Sequence, residues 1–469
     1  MSSTNSIPRS RRSLYGLLVT SVVSVAGTRI SAIAIPWFVL TTTGSPTRMG
    51  LVTLFEMLPY VVIKALGGPL IDRRGPRQVS ITADAISAVV AALIPILHLT
   101  GQLSFPVLLV LVAVLGTVRG PGDAAKFALI PQVARESGMS LERLTGLEGT
   151  ADRTTSIISF GIAGGLVALV GPINAVIVDA ATFAFAAMVL ALTFARRQLP
   201  AISDHVSEPD YLHRLAEGAR FLRGDRLLSS VVAMVATTNW LDAAYSTVLL
   251  PVWIHDHGYD TTQLGLIGMT FALTATCGSL VATALAGRLP RRLVFLGGFL
   301  LCGAPRFVML ALDMPLWAIL VTVAIGGSGA GFINPVLGAI FYERVPPHLI
   351  GRVSALEDSL CWSGVPLGGI SAAAVIAAFG LAPALLIAGG IYLTATLVPG
   401  LRPEWKEMDR ERSSQPARPD VRAGVGEVLA QVRHWSRTSV PAPTMTEVFH
   451  EATARKTRRG SRGAEPRCG

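Results

Sequence analysis

Three ionisable side chains lie deep inside long apolar runs of this chain: Arg29, Glu56 and Asp242. A charge at the centre of a bilayer costs about 2.5 to 3.5 kcal/mol on insertion scales, so such residues are kept for a partner or for chemistry. A carboxylate in a low-dielectric cavity can load a proton near neutral pH, and a neighbouring cation opposes that loading. Asp242 and Glu56 are therefore the candidate proton-carrying groups, with Arg29 as their counter-charge or as a ligand contact. Around Asp242, Asn239 and Ser246 fall on one helical stripe and Thr238 and Tyr245 adjoin it, giving a polar face to an otherwise apolar helix. The plainer alternative for each charge is a structural ion pair inside a bundle.

The elements that hold these residues are long apolar segments. Of 469 residues, 51% are hydrophobic and 15% charged, and the mean hydropathy is +0.54, which excludes an ordinary soluble protein. Crossing a 30 Å hydrocarbon core takes about 20 helical residues. Twelve such runs follow one another, at about 14–41, 49–66, 78–98, 104–125, 146–170, 173–194, 227–253, 264–286, 293–312, 316–341, 355–379 and 382–401. The first is too long for a signal-peptide core, so no cleaved signal is expected. Even-to-odd connections carry Arg73, Arg74, Arg77, Lys126, Arg135, Arg143, the basic stretch 196–226, Arg288, Arg291, Arg292, Arg344 and Arg352, whereas odd-to-even connections carry almost only Arg48. This asymmetry predicts that both termini are cytoplasmic. It also accounts for the net charge of +10 without nucleic acid. Cys277, Cys302 and Cys361 lie inside apolar runs and Cys468 in the tail, so no metal or disulfide pattern emerges. The eight histidines fall in loops, in the tail or at run ends, and no Walker-type glycine loop or zinc pattern is present, which weighs against ATP-driven transport and against a membrane enzyme.

The two halves of the chain resemble each other. Gly146–Gly171 aligns without gaps on Ala355–Gly380, matching Leu147 with Leu356, Glu148 with Glu357 and Gly171 with Gly380. The fifth and eleventh runs are thus equivalent members of a repeat in one orientation, as in two six-helix halves related by an axis along the membrane normal. Between the halves, Tyr211, Leu212, Leu215, Phe221 and Leu222 recur at helical spacing among Arg214, Glu217, Arg220 and Arg223, which predicts an amphipathic helix along the membrane surface. From Pro403 onward the chain is rich in charge, proline and serine and is expected to be disordered.

The second and third runs are joined by Gly67–Arg77, GGPLIDRRGPR, in which Asp72 among Arg73, Arg74 and Arg77 can hold a charge network at the water boundary. Its counterpart Arg288–Arg292, RLPRR, keeps the positive charge and lacks the aspartate. The turn resembles the loop between helices 2 and 3 of the major facilitator superfamily, with Gly68, Leu70, Asp72, Arg73, Gly75 and Arg77 on the matching places and Pro76 where that family usually has a basic residue. The stretches GPGDAAKFALIP, LERLTGLEG and AEGARFL are similar to the macrolide-efflux and tetracycline/aminoglycoside multidrug-efflux branch, with siderophore exporters nearby. Drug antiporters of the family often carry a glycine-proline pattern in helix 5; here Phe160, Gly161, Ile162, Ala163, Gly164 and Gly165 keep the closing glycine pair without the proline.

The resemblance implies an all-α polytopic membrane protein of twelve helices in two pseudo-symmetric halves: an N-terminal bundle (1–195), a central loop (196–226), a C-terminal bundle (227–402) and a basic tail (403–469). It implies a monomeric secondary active transporter of the plasma membrane that takes a small amphipathic substrate and protons, needs the lipid bilayer, and uses the proton gradient with no cofactor, metal or nucleic acid. A siderophore or metabolite exporter, or an importer of the same fold, is the alternative; a non-transporting sensor or membrane enzyme is the alternative of another class. In the family's arrangement helices 1, 4, 7 and 10 line the central cavity, which favours Arg29 and Asp242. Asp84, Arg119, Asp179 and Arg306 are then interhelical charges, those of helices 3, 6 and 9 at the periphery. Gly68, Asp72, Arg73, Gly75 and Arg77, with Asp152, Arg153 and Asp358 at the ends of helices 5 and 11, form a conformational gate that Asp72 latches when the cavity faces out.

Overall fold

A computed structural model of the chain describes residues 12–194, 209–285, 290–346 and 348–408. Among these, twelve helices are long and apolar enough to cross a membrane. The first six are α1 (Arg12–Thr43), α2 (Pro46–Leu66), α3 (Pro76–Leu99), α4 (Phe105–Ser137), α5 (Arg143–Val170) and α6 (Pro172–Thr193). The second six are α7 (Arg226–Asp256), α8 (Thr261–Leu285), α9 (Arg291–Ala311), α10 (Leu316–Arg344), α11 (Arg352–Phe379) and α12 (Leu381–Gly400). Large apolar side chains remain on their outer faces, Leu169 and Leu192 among them, where acyl chains rather than water would cover them.

Local chemistry marks the helix ends. The Ser45 and Ser140 hydroxyls accept from the backbone N–H groups of Arg48 and Arg143, and the Asp225 carboxylate accepts from that of Leu228. Gly171 and Gly380, matched by the internal repeat, close α5 and α11 with φ of 83° and 87°, a conformation that costs glycine little.

Packing repeats with an offset of six helices. In the first half α1 packs on α5 and α6, α2 on α4, and α3 on α4 and α6; in the second α7 packs on α11 and α12, α8 on α10, and α9 on α10 and α12. The halves meet most extensively through two symmetric contacts, α2 with α11 and α5 with α8. Small residues let the backbones approach there: a Cβ on Gly50 would lie 2.8 Å from the Gly369 carbonyl oxygen, and one on Gly164 would lie 2.3 Å from the Thr261 carbonyl oxygen and 2.7 Å from Gly265 Cα. Of the glycine pair noted in α5, Gly164 is therefore a contact between halves, whereas Gly165 has open space around it. Gly164→Val is expected to leave each half folded and to wedge α5 from α8, so that spin labels at positions 174 and 260 report a longer distance than in the wild type; an unchanged distance would show that the contact yields elsewhere. Gly327 and Gly331 of α10 press on α8 in the same way, with virtual Cβ atoms 2.7 Å and 2.4 Å from the Phe271 and Ala275 carbonyl oxygens.

Four features differ from the sequence reading. The helix α4 does not stop near Ala125: it runs through Gly120, Pro121 and Gly122 to Ser137, because a backbone with no water to bond keeps its helical bonds past a proline. Lys126 and Arg135 are thus helical and not loop residues. The helix α9 breaks at Gly303, whose missing side chain accommodates the Tyr392 ring, and resumes at Ala304. Within α7, residues Tyr245–Leu249 form one π-helical turn. Residues Pro403–Lys406 form a 3₁₀ turn that buries Trp405, whose indole N–H donates to Ser230 Oγ at 3.1 Å, so part of the segment assigned to the tail is folded.

The central-loop helix spans Pro209–Gly224, buries Leu222 and contacts the start of α11, where Glu217 pairs with Arg352. Arg291 pairs with Glu343 at 2.5 Å and Arg292 donates to the Gly400 carbonyl at 2.7 Å, whereas Arg288 and the tail beyond residue 408 lie outside the described residues.

Candidate functional site

A cavity of about 420 Å³ lies between the halves, walled by α1, α2, α5, α7, α8, α9 and α10. The two glycine contacts flank it, with Met49 beside Gly50 and Phe160, Leu264 and Gly268 beside Gly164 and Gly265. Helices α1, α7 and α10 line it as the resemblance implies, but α4 does not. Gly116 and Gly120 seat α4 directly against the Glu56 and Tyr60 carbonyls of α2, which turns its charged face into the first half.

Most of the wall is apolar, supplied by Ile33, Trp37, Phe160, Ile267, Phe271 and Val323 among others, and its charged residues are Arg29, Asp242 and Arg306. Asp242 pairs with Arg306 of α9 rather than with Arg29. The break at Gly303 is what brings Arg306 inward, so this arginine belongs to the cavity wall and not to the periphery where the sequence reading placed it. Its guanidinium also lies over the rings of Tyr245 at 4.4 Å, Phe307 at 5.1 Å and Tyr392 at 5.8 Å. Tyr245 lines the cavity at the π turn, and its buried hydroxyl has no hydrogen-bond partner among the described residues. Asn239 turns away, donating to the Cys361 carbonyl of α11 at 3.0 Å.

Arg29 stands apart. Its guanidinium lies over the Phe160 ring at 4.8 Å, it makes no hydrogen bond or ion pair among the described residues, and its Nε is buried and unpartnered. Glu56 does not reach the cavity; it pairs with Arg119 of α4 at 3.0 Å, and the same arginine donates to Thr28 Oγ1 at 2.9 Å. Lys126 of α4 pairs with Asp84 of α3 at 2.9 Å and donates to Ser24 Oγ at 2.8 Å. Asp179 of α6 is fully buried, and its Oδ1 has no hydrogen-bond partner among the described residues.

At the turn between α2 and α3, Gly75 takes φ of 81° and Gly68 meets nothing that a side chain would strike. Arg77 leaves the expected charge network: its Nε and Nη2 donate to the Phe194 and Ala191 carbonyls at 2.9 Å and 3.1 Å and so cap the end of α6. Asp72 and Arg73 are exposed and unpaired among the described residues, as are Asp152, Arg153 and Asp358 at the ends of α5 and α11. The gate residues are therefore not joined in this conformation.

The family model described as Major Facilitator Superfamily matches residues 17–356 and, in a second match, 232–440. The chain belongs to the major facilitator superfamily. This facilitator is 30% identical over 398 residues to the "Multidrug efflux pump Tap" of Mycobacterium tuberculosis, an alignment covering 84% of this chain and 94% of the relative. It is 24% identical to "Macrolide efflux protein A" of Streptococcus pyogenes, over 84% of this chain and 97% of that protein. The solved structure of the nucleoside transporter NupG superposes with a TM-score of 0.64 at 13% identity, over 82% of this chain and 97% of that one. The chain is a multi-pass membrane transport protein, not an enzyme.

Two polar features of this facilitator escape sequence reasoning. Lys126 looks like a loop cation because Gly-Pro-Gly before it reads as a helix end; the signal that could have found it is Asp84, a lone buried carboxylate needing a cation. Tyr60 and Asp123 join the same polar ladder of the first half, with the Tyr60 hydroxyl donating to Asp123 at 3.2 Å. Tyr60 lies near the middle of the second run but carries no charge, and Asp123 lies at the end of the fourth run.

Proposed function

We propose that this facilitator exports amphipathic small molecules, drugs or natural products, in exchange for protons, by alternating access across the cell membrane with both termini in the cytoplasm. The observation that carries this reading is the Asp242–Arg306 pair in the wall of an apolar cavity between two pseudo-symmetric halves. A carboxylate there can hold either a proton or its charge against Arg306, and a ligand entering beside it changes which is favoured. Competition of that kind couples the two fluxes. The glycine contacts between halves give the rigid bodies a place to rock, and the exposed Asp72 is free to latch onto the start of α11 when they do. The names of the relatives, a multidrug pump and a macrolide efflux protein, support the direction and the class of cargo.

The test is accumulation of ethidium and a panel of antibiotics in cells with and without the protein, with and without an uncoupler. Expression is expected to lower accumulation, the uncoupler to cancel that difference, and Asp242→Asn to abolish the response to an imposed pH gradient in proteoliposomes. Accumulation that does not change across the panel, or export indifferent to the uncoupler, would overturn the reading.

A further inference from the structure

The cavity holds two guanidinium groups and one carboxylate, and the carboxylate is already committed to one of them. Arg306 has Asp242 and three aromatic faces; Arg29 has only the face of Phe160, and the described residues offer it no acceptor. Asp152, the acidic group whose field reaches it, is exposed on α5 and forms no ion pair with it. An arginine with one face stacked and its edge turned to an apolar cavity presents a fork of N–H donors that matches a carboxylate in two parallel hydrogen bonds.

We infer that the cargo of this cavity is an amphiphile with an acidic group, a carboxylate or similar anionic oxygen pair, which docks on Arg29 while its apolar body lies against Trp37, Phe160 and Phe271. This deepens the export reading above and rests on it. The fixed charges sum to one net positive in a wall that is otherwise apolar, which disfavours a purely cationic cargo and favours an acid or a zwitterion. Ser156 and Thr322 add hydroxyls to the same wall, so a polar edge beside the acid is also accommodated.

The test uses two probes with one fluorophore, dansylglycine and dansylglycinamide, binding to the purified full-length protein. The acid is expected to bind at least about tenfold more tightly than the amide, the size of one charge-assisted hydrogen-bonded contact. Arg29→Gln is expected to remove that preference and Arg29→Lys to keep part of it, each variant being compared with wild type by its melting temperature. Equal binding of acid and amide by the wild type, no binding of either, or a preference that survives in Arg29→Gln would overturn the inference. Should Arg29→Gln not fold, the wild-type comparison and Arg29→Lys still decide it. Export that responds to the uncoupler with no preference for acids would sink this inference and leave the export reading standing; loss of that export would sink the reading itself.

Discussion

Arg306→Met is expected to bring transport to background and to lower the melting temperature of the purified protein, whereas Arg306→Met combined with Asp242→Asn recovers the melting temperature and not the transport. Removing one partner of a buried pair leaves a charge uncompensated and costs about 3 to 5 kcal/mol. Here the upper end does not apply, because Asp242 keeps 38% of its side chain open to the cavity while Arg306 keeps 10%. The single variant also removes the cation from the faces of Tyr245, Phe307 and Tyr392. The double variant carries no charge and so has none to strand, which separates the structural from the transporting role. Thermal unfolding in detergent and gradient-driven uptake into proteoliposomes are the two readouts. Full transport by the double variant would make the pair a strut and remove Asp242 from the coupling mechanism.

What could be read from the sequence, and what could not, follows from how each kind of information is stored. The twelve spans, their pairing into halves and the equivalence of Gly171 with Gly380 are written locally, in run length and in the repeat, and the structure has them. That Arg29 and Asp242 face the cavity was also legible, through the resemblance that puts the first and seventh helices on the cavity wall. The partners were not. Asp242 finds Arg306 only through the break at Gly303, and Glu56 leaves the cavity only because Gly116 and Gly120 seat α4 against α2. Both depend on glycines whose effect is felt on a neighbouring helix, which periodicity along one run does not register. Arg77 shows the same limit at the turn: its neighbours in sequence are Asp72 and two arginines, and its partners in space are carbonyls at the end of α6.

In the first half, Arg119→Met is expected to be the most destabilising single change in the protein. The Arg119–Glu56 pair has side-chain exposures of 9% and 6%, so water cannot take over from a missing partner, and the stranded Glu56 costs about 3 to 5 kcal/mol. Arg119 also satisfies Thr28 and stands over the Phe183 ring, so its loss loosens α1 and α6 as well as α2. Glu56→Gln keeps an acceptor for the same guanidinium and is expected to cost less. A double-mutant cycle on Glu56→Leu and Arg119→Met isolates the pair, since the double variant has neither charge to bury. Its melting temperature is expected to lie above that of Arg119→Met alone. Because this pair does not touch the cavity, binding of a cavity probe to folded Glu56→Gln protein should match the wild type, and proton-driven uptake by that variant decides whether the first half carries a proton. Uptake at the wild-type rate makes the pair purely structural and leaves Asp242 as the coupling carboxylate; lost uptake with binding intact moves the proton to Glu56, one helix behind the cavity wall.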